Sequence, residues 1–180
     1  MKRRTVYDDL GYSLAMRSII VIAHNLRSTH NIGSLLRTAD GLGVERVYLT
    51  GYTPYPSQIN DIRLPHLARK IDKHIAKTAL GAESSTAWEQ RADIAELITQ
   101  LRAQKYTIAA LEQTATAKDI STYKPPERIV IILGREVEGV EAEVLALTDL
   151  QLVIPMLGQK ESFNVVQAAA MALYHCRFQR

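Results

Sequence analysis

The stretch Arg128-Ile129-Val130-Ile131-Ile132-Leu133, running directly into Gly134-Arg135-Glu136-Val137-Glu138-Gly139, decides the fold class. Its apolar residues follow one another without the alternation of a strand that has one wet face, so the run reads as a strand buried on both sides. Runs of the same character recur at Ile19-Ile20-Val21-Ile22, Arg46-Val47-Tyr48-Leu49, Tyr106-Thr107-Ile108-Ala109-Ala110-Leu111 and Leu152-Val153-Ile154. Between them, helical patterns are expected near 32–42, 66–77, 89–104, 140–147 and 164–178. That alternation predicts an α/β protein with a largely parallel sheet and flanking helices.

The chain has 180 residues, 47% of them hydrophobic, which suits one globular domain over residues 1–180, with residues 1–17 expected as an N-terminal extension. The lone cysteine, Cys176, can form no intramolecular disulfide and belongs to no metal-type pair, so a reducing cytoplasm is the expected setting. Met1-Lys2-Arg3-Arg4 is followed by Thr5-Val6-Tyr7-Asp8-Asp9 instead of an apolar segment, and no apolar run approaches membrane-spanning length. Secretion and membrane insertion are both disfavoured.

A formal net charge of +3 permits an anionic partner without requiring one. Basic residues gather at Lys2-Arg3-Arg4, from Arg63 to Lys77 (with Arg69, Lys70 and Lys73), and at Arg177 and Arg180. Charge by itself favours a generic solvated surface. Gly51 to Pro65, with three prolines and little periodicity, is expected to be a long surface loop of the length that is usually functional or mobile. Lys124-Pro125-Pro126-Glu127 marks a second break.

In Asn31-Ile32-Gly33-Ser34-Leu35-Leu36-Arg37, Asn31 is placed to cap a helix whose apolar stripe is Ile32, Leu35, Leu36, Ala39 and Leu42. Gly33, Arg37 and Gly41 share a face at i, i+4 and i+8, which leaves the guanidinium open to close approach by a ligand or another backbone. Asp40, three residues on, could instead hold Arg37 in a surface ion pair. The loop Gly134 to Gly139 leaves a buried strand at the carboxyl end of the sheet, where open α/β proteins bind ligands. It lacks the glycine pattern of a phosphate cradle, and Glu136 and Glu138 would repel phosphate; carboxylates there suit a ribose hydroxyl or a cation, Glu136 being the better functional candidate. Glu138 and Glu141 read as a solvated acidic turn.

A third stretch starts at Ile154-Pro155-Met156 and enters a helix at Ser162-Phe163-Asn164, where Asn164 with Gln167 forms a variant of a capping box. The helix beyond is small and apolar almost all round, which implies burial on several faces, one of them at a subunit interface. The histidines, His24, His30, His66, His74 and His175, show no metal pattern, His30 reads as a surface residue, and no nucleophile elbow is present. Metal dependence and nucleophilic hydrolysis are both without support.

In order and spacing, these three stretches resemble the signature motifs of the SpoU (TrmH-type) RNA 2′-O-ribose methyltransferases of the SPOUT class. Lys77-Thr78-Ala79-Leu80-Gly81-Ala82-Glu83 is similar to a recurrent segment of the same family. The resemblance implies a C-terminal deep trefoil knot, although chain-connection rules make true knots rare. It also implies a homodimer with active sites near the interface, S-adenosyl-L-methionine as cofactor, and RNA as partner, with tRNA preferred and rRNA open. By the same resemblance Asn31, Arg37, Glu136, Ser162 and Asn164 form the catalytic group, and Leu111, Glu112, Gly134, Ile154, Met156, Ser162 and Phe163 contact the cofactor. Arg37 is the family's activator; since arginine almost never deprotonates, binding the neighbouring phosphate and stabilising a developing 2′-alkoxide is the role it suits. Arg135 stands where the family commonly has asparagine, and Phe163 where it commonly has leucine. A SPOUT-class base methyltransferase and a non-catalytic RNA-binding protein with the same fold remain alternatives, and a nicotinamide-binding oxidoreductase is weak for want of the glycine fingerprint.

Overall fold

Continuous runs of β-branched residues make the centre of a parallel sheet, and the computed structural model places them there. It describes residues 17–59 and 61–179; the expected N-terminal extension lies outside them except for Arg17, as do the cluster at Lys2-Arg3-Arg4, Asn60 and Arg180. In chain order the elements are β1 (Ser18–His24), α1 (Thr29–Gly41), β2 (Arg46–Thr50), α2 (Pro65–Ala79), α3 (Ala82–Ser85), β3 (Trp88–Arg91), α4 (Ile94–Ala103), β4 (Thr107–Leu111), β5 (Lys118–Asp119), β6 (Arg128–Leu133), α5 (Ala142–Leu145), β7 (Leu150–Val153) and α6 (Val165–Phe178). The seven strands form one sheet in the order β3-β2-β1-β6-β4-β7-β5, and every pairing is parallel.

Side-chain alternation along each strand splits the core in two. Ile129, Ile131 and Leu133 of β6 join Ile19, Val21 and Ala23 of β1 under α1 and α6, while Val130 and Ile132 join Ile20 and Ile22 against Leu97, Ile98 and Leu101 of α4. Both faces are therefore dry, which is why these strands carry no polar alternation.

Two sequence expectations need correction. The helix expected over 89–104 is an edge strand followed by a shorter helix. Glu89-Gln90-Arg91 has helix-forming composition, but these half-buried residues pair with β2, and α4 starts only where the Asp93 carboxylate accepts the N–H groups of Ala95 and Glu96. The helix expected over 140–147 shrinks to Ala142–Leu145.

Two residues of the basic clusters, Arg177 and Arg63, are used internally. Arg177 is buried and its guanidinium donates to the carbonyls of Leu42, Gly43 and Arg17 at 2.6–2.9 Å, with burial lowering its pKa. Arg63 lies 3.7 Å over the Tyr55 ring and donates to the Tyr55 and Pro56 carbonyls and to Asp61, so it folds the long loop onto itself.

Candidate active site

The three sequence stretches meet through one side chain. Ser28, not Asn31, caps α1: its hydroxyl accepts the Asn31 N–H at 3.2 Å. Asn31 is thereby the third residue inside the helix, and its carboxamide is left free to turn outward. Its Nδ2 donates to Glu136 Oε1 at 3.1 Å, and its Oδ1 accepts from Asn164 Nδ2 at 3.3 Å. Asn164 does cap α6, its Oδ1 accepting the Val166 N–H at 2.9 Å. Asn31 thus joins the loop after β6 to the start of α6.

Glu136 faces the amino end of α1, where it also accepts the backbone N–H groups of Arg27 and Ser28 at 3.2–3.3 Å. The first turn of α1 holds no acidic residue of its own, so Glu136 supplies the negative charge that the helix dipole favours. Burial pushes the Glu136 carboxyl up, but the backbone hydrogen bonds and the Asn31 amide outweigh it and hold the group below its ordinary value. Glu136 is therefore ionised and anchored chiefly through Oε1, which accepts from Ser28, Asn31 and Arg27, while Oε2 shares only the Arg27 N–H.

Beside this network a cleft of about 150 Å³, open to solvent, lies at the carboxyl ends of β4, β6 and β7. Leu111, Glu112, Gly134, Glu136, Ile154, Ser162 and Phe163 line it, as does Val165 at the start of α6. Met156 is not among the lining residues. Glu112, expected to contact a cofactor, spends its carboxylate on the N–H groups of Val140 and Gln113 at 2.7 and 2.8 Å. A Cβ on Gly139, where φ is 74°, would overlap that carboxylate, and a Cβ on Gly134 would overlap the Gly139 and Val140 backbone. The two glycines let the loop close on itself, and Arg135 and Gly139 exchange backbone hydrogen bonds across it. Gln113, which the sequence reading passed over, donates to the Glu161 carbonyl at 2.8 Å and ties the loop before α6 to the end of β4; its place just beyond a buried strand was the only signal for it.

Arg37 is exposed and makes no hydrogen bond or ion pair among the described residues, and it does not join the Asn31 network. It stands six positions beyond Asn31 in the helix, about 9 Å along the axis and a third of a turn round. The ion pair weighed for it with Asp40 does not form; Asp40 accepts the Ser85 hydroxyl at 2.8 Å instead. Gly33 has a packing reason, since a Cβ there would overlap the Ile75 carbonyl and the Thr78 hydroxyl of α2, whereas Gly41 abuts nothing.

Glu141 and Arg135 form a second cluster, not the solvated acidic turn expected of Glu141. Arg135 Nη2 lies 2.6 Å from Glu141 Oε1, which also accepts from Asn25 Nδ2 at 2.6 Å. His24 bonds the Thr50 hydroxyl at 2.8 Å, and burial lowers its pKa. Glu138 instead pairs with Arg27 at 2.9 Å on the surface. Cys176 is buried, and burial pushes its thiol up to about 12. Among the described residues no group of three or more His, Cys, Asp and Glu could hold a metal ion, and no helix is long and apolar enough to cross a membrane.

A family model described as the SpoU rRNA Methylase family matches residues 18–174. The chain belongs to the SpoU rRNA Methylase family. Among SpoU relatives, it is 28% identical over 178 residues to the tRNA (guanosine(18)-2′-O)-methyltransferase of Escherichia coli K12, covering 98% of this chain and 71% of that one. It is 29% identical over 168 residues to the 23S rRNA (guanosine(2553)-2′-O)-methyltransferase RlmP of Bacillus subtilis, covering 91% and 60%. The SpoU methyltransferase AviRb of Streptomyces viridochromogenes, solved in complex with the cofactor AdoMet, superposes with a TM-score of 0.74 at 20% identity, covering 91% of this chain and 58% of that one. The SpoU match begins at Ser18, the first residue of β1, and takes in all three stretches that Asn31 connects.

Proposed function

We propose that this chain, as one catalytic domain, transfers a methyl group from S-adenosylmethionine to a ribose 2′-hydroxyl of RNA, with tRNA as substrate. The observation that carries the proposal is the joining of three distant stretches by the Asn31 carboxamide at the edge of the cleft. The E. coli relative supports tRNA, and the B. subtilis relative keeps rRNA as the second substrate class.

The cleft fits the cofactor. Leu111, Leu133, Leu152, Ile154 and Phe163 offer apolar walls for a nucleoside, and the Glu112 and Glu136 carboxylates, bonded to uncharged N–H groups and not to a cation, give that side of the lining a negative charge suited to a cationic ligand, while Glu138 and Arg135 are paired with Arg27 and Glu141. When bound, S-adenosylmethionine supplies an electrophilic methyl group on its sulfonium. Asn31 and Asn164 hold the loop after β6 against the start of α6, which fixes the distance between the cofactor walls and the RNA side of the site. Ser162, exposed and lining the cleft, is the residue this reading assigns to orienting the ribose hydroxyl. Glu136, with its pKa depressed and Oε1 held by three donors, is a poor proton acceptor near neutral pH and serves as an anchor. Arg37, exposed and unpaired among the described residues, would bind the adjacent phosphate and stabilise negative charge developing on the 2′-oxygen.

Three further features belong to this reading. Met171, Tyr174 and Phe178 form an exposed apolar stripe on α6, and the Tyr174 and Phe178 rings touch at 4.7 Å between centroids, which supports a homodimer packed through that helix. The reading also takes in the C-terminal trefoil knot that the resemblance implies, with the closed Gly134–Gly139 loop and the segment after β7, which line the same cleft, as the parts of the chain involved. A cytoplasmic setting suits a lone buried thiol.

Incubation with methyl-labelled S-adenosylmethionine and unmodified tRNA, followed by digestion to nucleosides, tests the function. Label in a 2′-O-methyl nucleoside is the expected result. Label on a base would establish a base methyltransferase, and cofactor binding without transfer to any RNA would leave an RNA-binding protein. No cofactor binding at millimolar concentration would overturn the methyltransferase reading.

A further inference from the structure

α2 holds most of the chain's excess charge. Its fifteen residues carry Arg69, Lys70, Lys73 and Lys77 against one carboxylate, Asp72. That surplus of three equals the formal net charge of +3 for the whole chain. At helical spacing His66, Lys70, Lys73 and Lys77 fall within one arc of about 60°, with Arg69 at its edge, and the stripe runs about 16 Å along the axis. All five side chains are exposed, while Ala68, Ile75 and Ala79 on the opposite side are buried.

An ordinary solvated helix face mixes signs, because like charges three and four residues apart repel. The exposed face of α4 does so, with Glu96 bonded to Gln100 and Arg102 paired to Asp149. On α2 the single carboxylate does not answer the stripe. Asp72 accepts the Ser57 N–H at 2.9 Å and thereby pins the long loop to the helix. A one-sign stripe of this kind is stable beside a polyanion, where each cation displaces a condensed counterion.

Its placement is as telling as its charge. The flank of α2 next to the stripe carries His74 and Thr78, and both touch the residue before Asn31. The His74 and His30 rings stack at 5.9 Å and 14°, and Thr78 donates to the His30 carbonyl at 2.9 Å. Gly33 lets the two helices approach until no Cβ fits between them. The stripe is therefore held at a fixed offset from the site.

We propose that the face of α2 formed by His66, Arg69, Lys70, Lys73 and Lys77 is the docking surface for the RNA backbone, holding the substrate strand beside Asn31. This rests on the RNA methyltransferase reading above. The contacts are ammonium and guanidinium groups to phosphate oxygens, which position the strand without reading its sequence.

The test compares the wild-type chain with Lys70→Gln/Lys73→Gln/Lys77→Gln, with the same triple change to Arg, and with Lys105→Gln/Lys124→Gln as a control for charge removed elsewhere. Binding to an unmodified tRNA transcript is measured by fluorescence anisotropy at several salt concentrations, and S-adenosylmethionine binding by calorimetry. The triple Gln variant should bind tRNA at least tenfold more weakly near 0.1 M salt. Its log Kd against log salt should be shallower by about two, since each phosphate contact contributes about 0.7–0.9 to that slope. Cofactor affinity should be unchanged, and the Arg triple and the distant control should keep the wild-type slope. A Gln triple with wild-type affinity and slope would overturn the docking surface, as would an equal loss in the distant control. So would unaltered tRNA binding with weakened binding to phosphatidylserine vesicles, which would make the stripe a membrane-facing surface. If the wild-type chain binds neither S-adenosylmethionine nor tRNA, the methyltransferase reading itself fails; if it binds both and methylates, and the Gln triple matches it, only the α2 surface fails.

Discussion

Replacing Asn31 by alanine removes the link between the three stretches without touching the core. Two hydrogen bonds are lost, one to the ionised Glu136 carboxylate at 3.1 Å and one from Asn164 at 3.3 Å. Bonds to charged groups are worth about 1.5–3 kcal/mol and neutral ones about 0.5–1.5. Both are at the long end and Asn31 is half-buried, so the low values apply, about 2 kcal/mol together. Alanine recovers about 0.5 kcal/mol in helix propensity. The net loss of about 1.5 kcal/mol corresponds to a Tm lowered by about 3–6 °C for a domain of this size.

Activity should fall much further than stability. With Asn31 gone, Glu136 keeps only the Arg27 and Ser28 N–H groups, and Asn164 is tied only to its own helix, so the loop and α6 can shift relative to each other. Misplacement of about 1 Å lowers methyl transfer by about a hundredfold. Urea unfolding and label transfer to tRNA measure the two effects. A cycle with Asn164→Ala should show a coupling of about 0.5–1 kcal/mol, as expected for residues in one hydrogen-bonded network. Asn31→Ala with stability within about 0.5 kcal/mol of wild type and undiminished transfer would refute the argument, and strict additivity with Asn164→Ala would show that the contact between them carries nothing.

Other outcomes follow from neighbouring residues. Arg37→Ala should leave unfolding and cofactor binding nearly unchanged, because the side chain is exposed, while lowering transfer by about a hundredfold; Arg37→Lys should rescue little, and early melting with normal transfer would make the residue structural. Gly33→Ala should destabilise by about 1–3 kcal/mol, read by thermal melting, because its Cβ would overlap α2 at the Ile75 carbonyl. Glu136 has a depressed folded pKa, so its contribution is complete above the unfolded value of about 4.3 and is lost as pH falls through the folded value. Urea midpoints measured from pH 7 down to 3 should accordingly fall less steeply for Glu136→Gln than for wild type, and parallel curves would count against the anchoring role. Sedimentation should give about twice the chain mass, reverting to the monomer in Tyr174→Asp, whose side chain is exposed on α6.

Much of the fold was legible in the sequence because its signals are local. The run Arg128–Leu133 carries no polar alternation, and it became a strand dry on both faces. Asn164 caps α6 for reasons contained in its own turn of helix, and the helix expected over 66–77 forms as α2, opening one residue earlier at Pro65. The edge strand β3 was not legible, since Glu89-Gln90-Arg91 takes extended form only because β2 offers it a ladder.

The sequence by itself determined the α/β class, the carboxyl-end loop after β6 and the residues worth watching, because period, capping and turn chemistry act within a few residues along the chain. Only the tertiary structure decided what those residues do. It moved the cap from Asn31 to Ser28 and so freed the Asn31 amide to meet Glu136 and Asn164, which lie 105 and 133 residues away. It likewise committed the Glu112 carboxylate to Val140, buried Arg177 among carbonyls, and set α2 against Gly33. The Asn31 and Glu112 contacts depend on the strand order that brings β6 between β1 and β4, the others on how α1, α2 and α6 pack, and local sequence chemistry does not encode which distant backbone will supply a side chain with its partner.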